Sequence, residues 1–297
     1  MHKFQHAMLD LLRELTLSFQ SVSTTPALDA ELLIAHIIGK NRTFVLAHPE
    51  HKLTIGQLKE LERLKRHRLK YQPIAYITNK KDFYGLEFYV DKSVFIPRPE
   101  TEILVEETIK EALGNKRMSH IVDIGTGSGN IAVSIAKHLP EHLYIATDIS
   151  GPALRIAKLN SIKHLVNNRI NFQKGHLLDS IFKKNTVAPK ENLLIATNLP
   201  YLNDLDEAFE NEYPRLFYSI KKEPRLALYG GQNGTEIYKE FFDQIKDYNI
   251  KNSLILAEIG HEQKDFLKKY ITALFPKSKI QIKKDLANKN RVLKITL

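Results

Sequence analysis

Two short stretches of this chain carry residues able to do chemistry. In the first, Asp123-Ile124-Gly125-Thr126-Gly127-Ser128-Gly129, three glycines stand at alternate positions after an apolar run. Glycines there permit positive φ and let a ligand lie against the backbone. Asp148 ends the next apolar run, nineteen positions beyond Gly129. That placement suits a carboxylate gripping the two hydroxyls of a ribose, so the pair reads as a site for a nucleoside-containing cofactor. The spacing is G-x-G-x-G, whereas a dinucleotide loop is G-x-G-x-x-G with its helix N-terminus turned on a pyrophosphate. The second stretch is Asn198-Leu199-Pro200-Tyr201, which ends the apolar run Leu193-Leu194-Ile195-Ala196. Taken alone it reads as a turn, because Asn and Pro are ordinary punctuation at strand ends.

The elements that must position these residues alternate. From Ile121 onward the pattern runs IVDIG, a helix from about Asn130 to His138, LYIATD, and a helix from Pro152 to about Leu165. It continues with INFQKG, LLIATN, a helix from Glu236 to Tyr248, and SLILAEI. Such alternation predicts an α/β fold, a parallel sheet with helices on both faces. KIQIKKDL and NRVLKITL predict a closing hairpin around 287–290. Upstream, residues 1 to about 70 read as helices only. Met8, Leu12, Leu15 and Phe19 line the first. In the second, Thr25 caps, Pro26 opens, Gly39 ends, and Leu28, Leu32, Ala35 and Ile38 form the core face. The third starts at Thr54 with Gln57 three residues on, a capping box. Leu58, Leu61 and Leu64 face its core; Lys59, Arg63, Lys65, Arg66 and Arg68 form an outer solvated face. The β-branched and aromatic runs IAYIT and FYGLEFYV, separated by 79–82, predict a hairpin between the helical part and the rest.

Composition narrows the class. The chain has 297 residues, 43% hydrophobic and 26% charged, the profile of an ordinary globular protein. Its N-terminus lacks a continuous apolar core and a cleavage site, and no window approaches the ~18 apolar residues of a membrane helix, so a cytoplasmic location is expected. With no cysteine, disulfides, thiol nucleophiles and cysteine metal sites are excluded. The net charge of +10 gives at most a lean toward an acidic or RNA-associated partner, since the lysines are scattered.

The glycine stretch, preceded by Asp123, resembles the first motif of class I S-adenosylmethionine-dependent methyltransferases. That resemblance implies a Rossmann-like seven-stranded mixed sheet. It also implies S-adenosyl-L-methionine bound by Gly125, Thr126, Gly127, Ser128 and Gly129, by Asp148 at the ribose, and by His176, Leu177 and Asn198. Gly175-His176-Leu177-Leu178 stands where the family usually has Gly-Asp-Leu-Leu beside the adenine. His176 departs from that pattern, and stacking, accepting a hydrogen bond, or a plain surface position all remain open for it.

A methyl on sulfonium is already electrophilic, so the protein's task is to position and activate the nucleophile. Amide and exocyclic nitrogens are poor nucleophiles because their lone pair is delocalised. Two acceptors bound to both N–H groups would hold such a nitrogen and draw the lone pair out of conjugation. The Asn198 side-chain oxygen and the Leu199 carbonyl are candidate acceptors, Pro200 stiffens the turn, and Tyr201 offers a ring face. Asn-Pro-Pro-Tyr and its variants at the end of the fourth strand mark methyltransferases acting on planar nitrogens.

Three further stretches narrow the resemblance: FIPRPETE (95–102), EPRLALYGGQNG (223–234) and DLANKNRVL near the end. With QPIAYI and FYGLEFYV, they are similar to the HemK/PrmC family of protein-(glutamine-N5) methyltransferases. The resemblance covers 72–297 and implies methylation of the glutamine in the Gly-Gly-Gln loop of peptide chain release factors 1 and 2. It implies Asn198, Pro200 and Tyr201 as catalytic residues and Asn198 to Tyr201 as the substrate clamp. It also implies a helical docking domain at 1–72, a hairpin linker at 73–95, a methyltransferase domain at 96–297, a monomer, and no required nucleic acid. Leu199, His176 and Asn288 replace the usual Pro, Asp and Gly. The chain's own Gly230-Gly231-Gln232 is expected to be loop structure, and 98–102 a helix start that also walls the cofactor site. The alternative is an RNA or DNA adenine N6-methyltransferase, because Asn-Leu-Pro-Tyr also occurs in ribosomal RNA adenine dimethyltransferases. A non-enzymatic adaptor using the basic third helix is a further alternative.

Overall fold

The computed structural model describes residues 7–115, 117–118, 120–183, 190–203 and 207–297. They form two units: one holds the described residues up to Lys80 and within 205–223, the other those within 81–204 and 224–297.

The first unit begins with α1 (Met8–Phe19), α2 (Pro26–Ile38), α3 (Arg42–Ala47), α4 (Ile55–Leu69) and α5 (Ile74–Thr78). Local signals set their ends. Pro26 opens α2, and Gly39 closes it at φ 65°. Asn41 Oδ1 caps α3 by accepting from Phe44 N at 2.9 Å. Thr54 and Gln57 form the expected reciprocal box on α4, 2.9 and 3.2 Å. Thr25, by contrast, makes no side-chain cap.

The buried faces differ from expectation. Leu11 joins Met8, Leu15 and Phe19 as the buried residues of α1, with Leu12 partly buried against the same core, and α2 buries Asp29, Ala30, Leu33, Ile34 and Ala35 with Ile38 partly buried, while Leu28 is exposed. A helix with apolar residues nearly all round does not announce its face. A charge pair also draws Asp29 inward. Arg68 is not on the solvated face of α4 but buried: its Nε donates to Asp29 Oδ2 at 2.7 Å and its guanidinium to Val22 O at 2.8 Å. Ser23 Oγ donates to the same Asp29 oxygen at 2.7 Å.

The stretch IAYIT is helical α5, ended by Asn79 at φ 54°, and not a strand. The hairpin lies later, as β1 (Lys80–Phe83) and β2 (Leu86–Tyr89). Tyr84 and Gly85 turn it at φ 49° and 71°, positive at both central positions as a tight hairpin of this twist requires. Five residues are too few for periodicity to separate a buried helical turn from a strand.

A 3-10 turn at Pro99–Thr101 leads into α6 (Glu102–Gly114), followed by β3 (His120–Ile124), α7 (Asn130–His138), β4 (Leu143–Asp148) and α8 (Gly151–Lys163). Then come β5 (Ile170–Lys174), α9 (Asp179–Phe182), β6 (Leu193–Thr197), α10 (Glu207–Glu212) and α11 (Pro214–Ile220). The last elements are α12 (Glu236–Asp247), β7 (Leu254–Glu258), α13 (Lys264–Leu274), β8 (Lys279–Lys284) and β9 (Asn290–Thr296). α10 and α11 belong to the first unit, where the Tyr71 and Tyr218 rings lie 4.9 Å apart.

Seven strands form one mixed sheet in the order β5-β4-β3-β6-β7-β9-β8. The first five are parallel, and β9 runs antiparallel to both neighbours, closing the expected hairpin with β8. Asn288 takes φ 61° in that closing turn, a conformation Asn tolerates where Gly is usual. Alternate strand residues serve two cores. Ile121, Tyr144, Ala146, Leu194 and Leu256 pack with α6 and α7. Val122, Ile145, Ile195, Ile255 and Leu293 pack with α9, α12 and α13. Sheet order reverses direction at β3, so a crevice opens outside the carboxyl ends of β4, β3 and β6, where open α/β sheets take their ligands.

Candidate active site

The glycine loop leaves β3 at that crevice. Gly125 and Thr126 both donate their N–H to Thr147 O, at 2.9 and 2.8 Å, tying the loop to the end of β4. Gly125, Gly127 and Gly129 have φ of 74°, 55° and 81°, which side chains beyond Cα disfavour. Space adds a second constraint at Gly129, where a Cβ would sit 3.1 Å from Ala157 Cα on α8.

Asp123 is buried beneath the loop as a brace. Its Oδ2 accepts from Thr126 Oγ1 at 2.7 Å and from Ala132 N at 3.1 Å. Burial pushes its carboxyl up to about 7, against those two hydrogen bonds. Asp148 faces the loop from β4: Oδ2 accepts from Gly127 N and Oδ1 from Ser150 N, both at 2.8 Å. Burial raises its pKa too, opposed by those two N–H groups. Each Asp148 oxygen retains a lone pair, so the carboxylate can still accept from a vicinal diol.

Next along the edge, Gly175 N donates to Asp148 O at 3.1 Å, and Thr147 Oγ1 to the carbonyl of buried Leu177 at 3.3 Å. Leu177 thus flanks Asp148. His176 turns to the surface, where its Nε2 lies 2.7 Å from Glu240 Oε1.

The acceptor stretch stands on the other shoulder of the loop. In register, Ile124 pairs with Thr197, and Thr197 Oγ1 donates to Ile124 O at 2.7 Å. The buried Leu199 side chain lies against the loop, its Cδ2 3.3 Å from where a Cβ on Gly125 would stand. Leu199 N donates to Tyr238 OH at 3.2 Å, and that hydroxyl donates to Glu258 O. Asn198 Nδ2 donates to Thr101 Oγ1 at 3.2 Å. Tyr201 OH donates to Glu258 Oε1 at 3.3 Å, beside a carboxyl that burial pushes up to about 7. Asn198 to Tyr201, Gly125 to Gly129, Asp148 and Leu177 are therefore gathered on one edge, and the His176 side chain next to Leu177 is paired with Glu240.

The loop 228–234 holds this stretch by backbone. Gly230 N donates to Leu202 O at 2.8 Å, and Gln263 Nε2 donates to Tyr201 O and Gly234 O, both at 2.9 Å. A Cβ on Gly230 would stand 2.4 Å from Pro200 O, so the glycine of Gly230-Gly231-Gln232 is demanded by packing. Of residues 98–102, Arg98 stacks over the Phe95 ring at 4.6 Å, Thr101 Oγ1 accepts from Asn198 Nδ2, and Glu102 Oε1 accepts from Tyr84 N at 2.8 Å.

Sequence reasoning missed four residues here. Asn160, fully buried on α8, donates to Ser128 O at 2.8 Å and Tyr89 O at 3.0 Å and accepts from Tyr89 N at 2.8 Å, fixing the loop to β2. Glu258, Tyr238 and Gln263 were the others. Glu258 had a signal: a lone acid ending an apolar strand, at the edge where parallel sheets place their sites. Among the described residues no cluster could hold a metal, and no helix is long and apolar enough to cross a membrane.

Comparison with known proteins gives two family matches: "PrmC N-terminal domain" over residues 10–78 and "Methyltransferase small domain" over residues 99–209. The chain is 37% identical to release factor glutamine methyltransferase of Coxiella burnetii, covering 82% of each chain. It is 35% identical to the protein of the same name from Dictyoglomus turgidum, covering 90% of each. It is also 31% identical to the bifunctional methyltransferase of Rickettsia bellii, over 99% of this chain but 55% of that one. Among solved structures, the hMettl16 catalytic domain in complex with the MAT2A 3'UTR hairpin 1 aligns with a TM-score of 0.56 at 12% identity, over 100% of this chain and 95% of that one. At that identity the likeness speaks for the fold alone.

Proposed function

Since the chain belongs to the release factor glutamine methyltransferase family, we propose that it transfers a methyl group from S-adenosyl-L-methionine to the side-chain amide nitrogen, N5, of the glutamine in the Gly-Gly-Gln loop of class I release factors. The observation that carries this reading is the junction of acceptor stretch and glycine loop, with Leu199 lying on Gly125 and Thr197 bonded to Ile124. A nitrogen held by Asn198 would lie beside whatever the loop binds.

The residues fit that cofactor. The loop has no side chain at Gly125, Gly127 or Gly129, and Asp148, fixed by two backbone N–H groups, keeps acceptor capacity for a ribose diol. Leu177 supplies an apolar wall for the base, and His176 beside it is paired with Glu240. When bound, the cofactor supplies an electrophilic methyl on a sulfonium. The protein's residues do the rest. The two N–H groups of the glutamine amide donate to Asn198 Oδ1 and to the Leu199 carbonyl. That fixes the nitrogen and favours the pyramidal, nucleophilic form over the conjugated one. Tyr201 and Pro200 flank the planar amide, and the amide proton lost on methylation passes to solvent. Holding the nitrogen in line is worth several orders of magnitude in rate. The helical unit, with the 73–95 segment, docks the release factor in the cytoplasm.

Mass spectrometry of release factors 1 and 2 incubated with the protein and the cofactor tests the reading. One added methyl on the loop glutamine is expected. Label entering RNA and neither release factor would favour the adenine methyltransferase alternative and overturn this one.

A further inference from the structure

We propose, resting on the reading that this site methylates a carboxamide, that Glu258 is a positioning residue: through Thr101 and Tyr201 it fixes the Asn198 side chain with its oxygen toward the acceptor nitrogen.

An asparagine side chain is nearly symmetric in shape but not in chemistry. Its oxygen accepts from a substrate N–H, whereas its NH2 can only oppose one. The clamp works in one of two orientations related by a flip about χ2, so something must choose. Asn198 Nδ2 donates to Thr101 Oγ1 at 3.2 Å, which leaves Oδ1 for the substrate. A hydroxyl, however, donates as readily as it accepts. The direction of this bond depends on where the Thr101 proton is committed.

Glu258 supplies the commitment. Thr101 and Glu258 are both 1% exposed, so water does not arbitrate between them. Oε1 of Glu258 accepts from Tyr201 OH. Oε2 is buried with no hydrogen-bond partner among the described residues, and the Thr101 hydroxyl is near enough to the carboxyl to oppose the upward push of burial. The other groups facing this carboxyl are the Arg291 guanidinium on β9, which favours its ionised form, and Glu100, which opposes it. Tyr238 on α12 is also close, its hydroxyl turned to the main-chain oxygen. Arg291 is itself paired with Asp285 at 3.0 Å.

As a carboxylate, Glu258 is acceptor only. The chain of bonds then runs from Asn198 Nδ2 to Thr101 to Glu258, and Tyr201 is held by the other oxygen. One buried charge thereby sets both sides of the clamp. A neutral side chain there becomes a donor and reverses the order: Thr101 donates to Asn198 Oδ1 and the NH2 group turns toward the substrate's own N–H groups. The same argument makes the clamp sensitive to pH, because burial pushes Glu258 up to about 7.

The test uses the full chain with a release factor as substrate. In the wild type, kcat is expected to rise with pH through one step near 7. Glu258→Gln should lower kcat about 100-fold and abolish the step, as misplacement of a reacting group does, with S-adenosylhomocysteine affinity by calorimetry unchanged. Thr101→Val should behave like it, and Thr101→Ser should restore activity. Wild-type kcat and pH profile in Glu258→Gln would overturn the proposal. If that variant fails to melt cooperatively, the Val and Ser pair decides in its place. The side-chain NH2 resonances of Asn198, assigned with Asn198→Asp in 15N-labelled protein, give a readout that needs no substrate. Their titration near 7 in the wild type and not in Thr101→Val supports the orientation even if no release factor is methylated, in which case only the substrate reading fails. Resonances insensitive to pH in both proteins would sink the orientation while leaving the substrate reading intact.

Discussion

The Asn198 side chain donates to the Thr101 hydroxyl at 3.2 Å across 97 positions of sequence. The turn before α6 and the end of β6 are thereby parts of one clamp. Asn198→Ala removes an acceptor that positions the nucleophile, and a loss of about 100- to 1,000-fold in kcat/KM is expected, the range set by losing one preorganised group. Calorimetric affinity for S-adenosylhomocysteine should change far less. A kcat/KM within tenfold of wild type would remove Asn198 from the chemistry.

Leu199→Pro asks a narrower question. Proline is the residue that the family resemblance puts here, yet it has no N–H, and Leu199 N donates to Tyr238 OH. That hydroxyl keeps its own donation to Glu258 O, so only one partner of a bifunctional group is lost. The cost should be about 1 kcal/mol in stability, the net worth of one such bond. Most activity should remain, because the carbonyl that faces the substrate is unchanged. Steady-state transfer rates and denaturant unfolding check this, and a loss matching that of Asn198→Ala would show that the N–H matters to catalysis.

Asn160→Leu tests the strut behind the glycine loop. The substitution removes three hydrogen bonds to backbone groups and leaves the Ser128 carbonyl buried and the Tyr89 N–H and carbonyl partly buried. A loss of about 3 kcal/mol or more is expected from unpaired buried polar groups. Cofactor affinity should fall with it, since Ser128 belongs to the loop. A stable variant with unaltered affinity would show that the loop holds its shape without α8.

How legible this was in the sequence varies by residue. Gly125 to Gly129, Asp148 and Asn198 could be read because their chemistry is local: a loop, the next strand's end and a turn each show in a few adjacent positions. The sheet followed from the alternation of periods. Glu258 and Asn160 were hidden because their meaning is tertiary, a partner 57 positions away for Tyr201 and Glu258 and 71 for Asn160 and Tyr89. Arg68 was misread for the same reason, since a row of basic residues on a helix looks solvated until one finds an acid across the core. α5 failed differently, its five residues being too short to show a period.

The stability of the ligand-free protein should carry a signature of its two buried acids. Burial pushes Asp123 and Glu258 up to about 7 in the folded chain, while both ionise near 4 when unfolded. Between those values the folded state holds the extra protons, so their contribution falls as pH rises from about 4 to about 7 and is flat beyond. Melting curves should therefore show Glu258→Gln gaining relative to wild type as pH is raised from about 6 to 8. A variant whose difference from wild type is constant over that range would mean that Glu258 is already ionised at pH 6.

The pair Arg68 and Asp29 makes the sharpest stability prediction. Both are 5% exposed or less, and their bond at 2.7 Å is supported by Ser23 and by Val22 O. Taking two charges out of water costs nearly what their attraction returns, so the pair itself is worth little. Breaking it is another matter. Arg68→Met leaves Asp29 charged in an apolar core and should cost about 3–5 kcal/mol. Asp29→Leu with Arg68→Met removes both charges and should recover most of that loss. Denaturant unfolding of the full chain, followed by a probe placed in the helical unit, measures both. A double variant as unstable as Arg68→Met alone would mean that the cost lies in lost packing of the Arg68 stem rather than in a stranded charge.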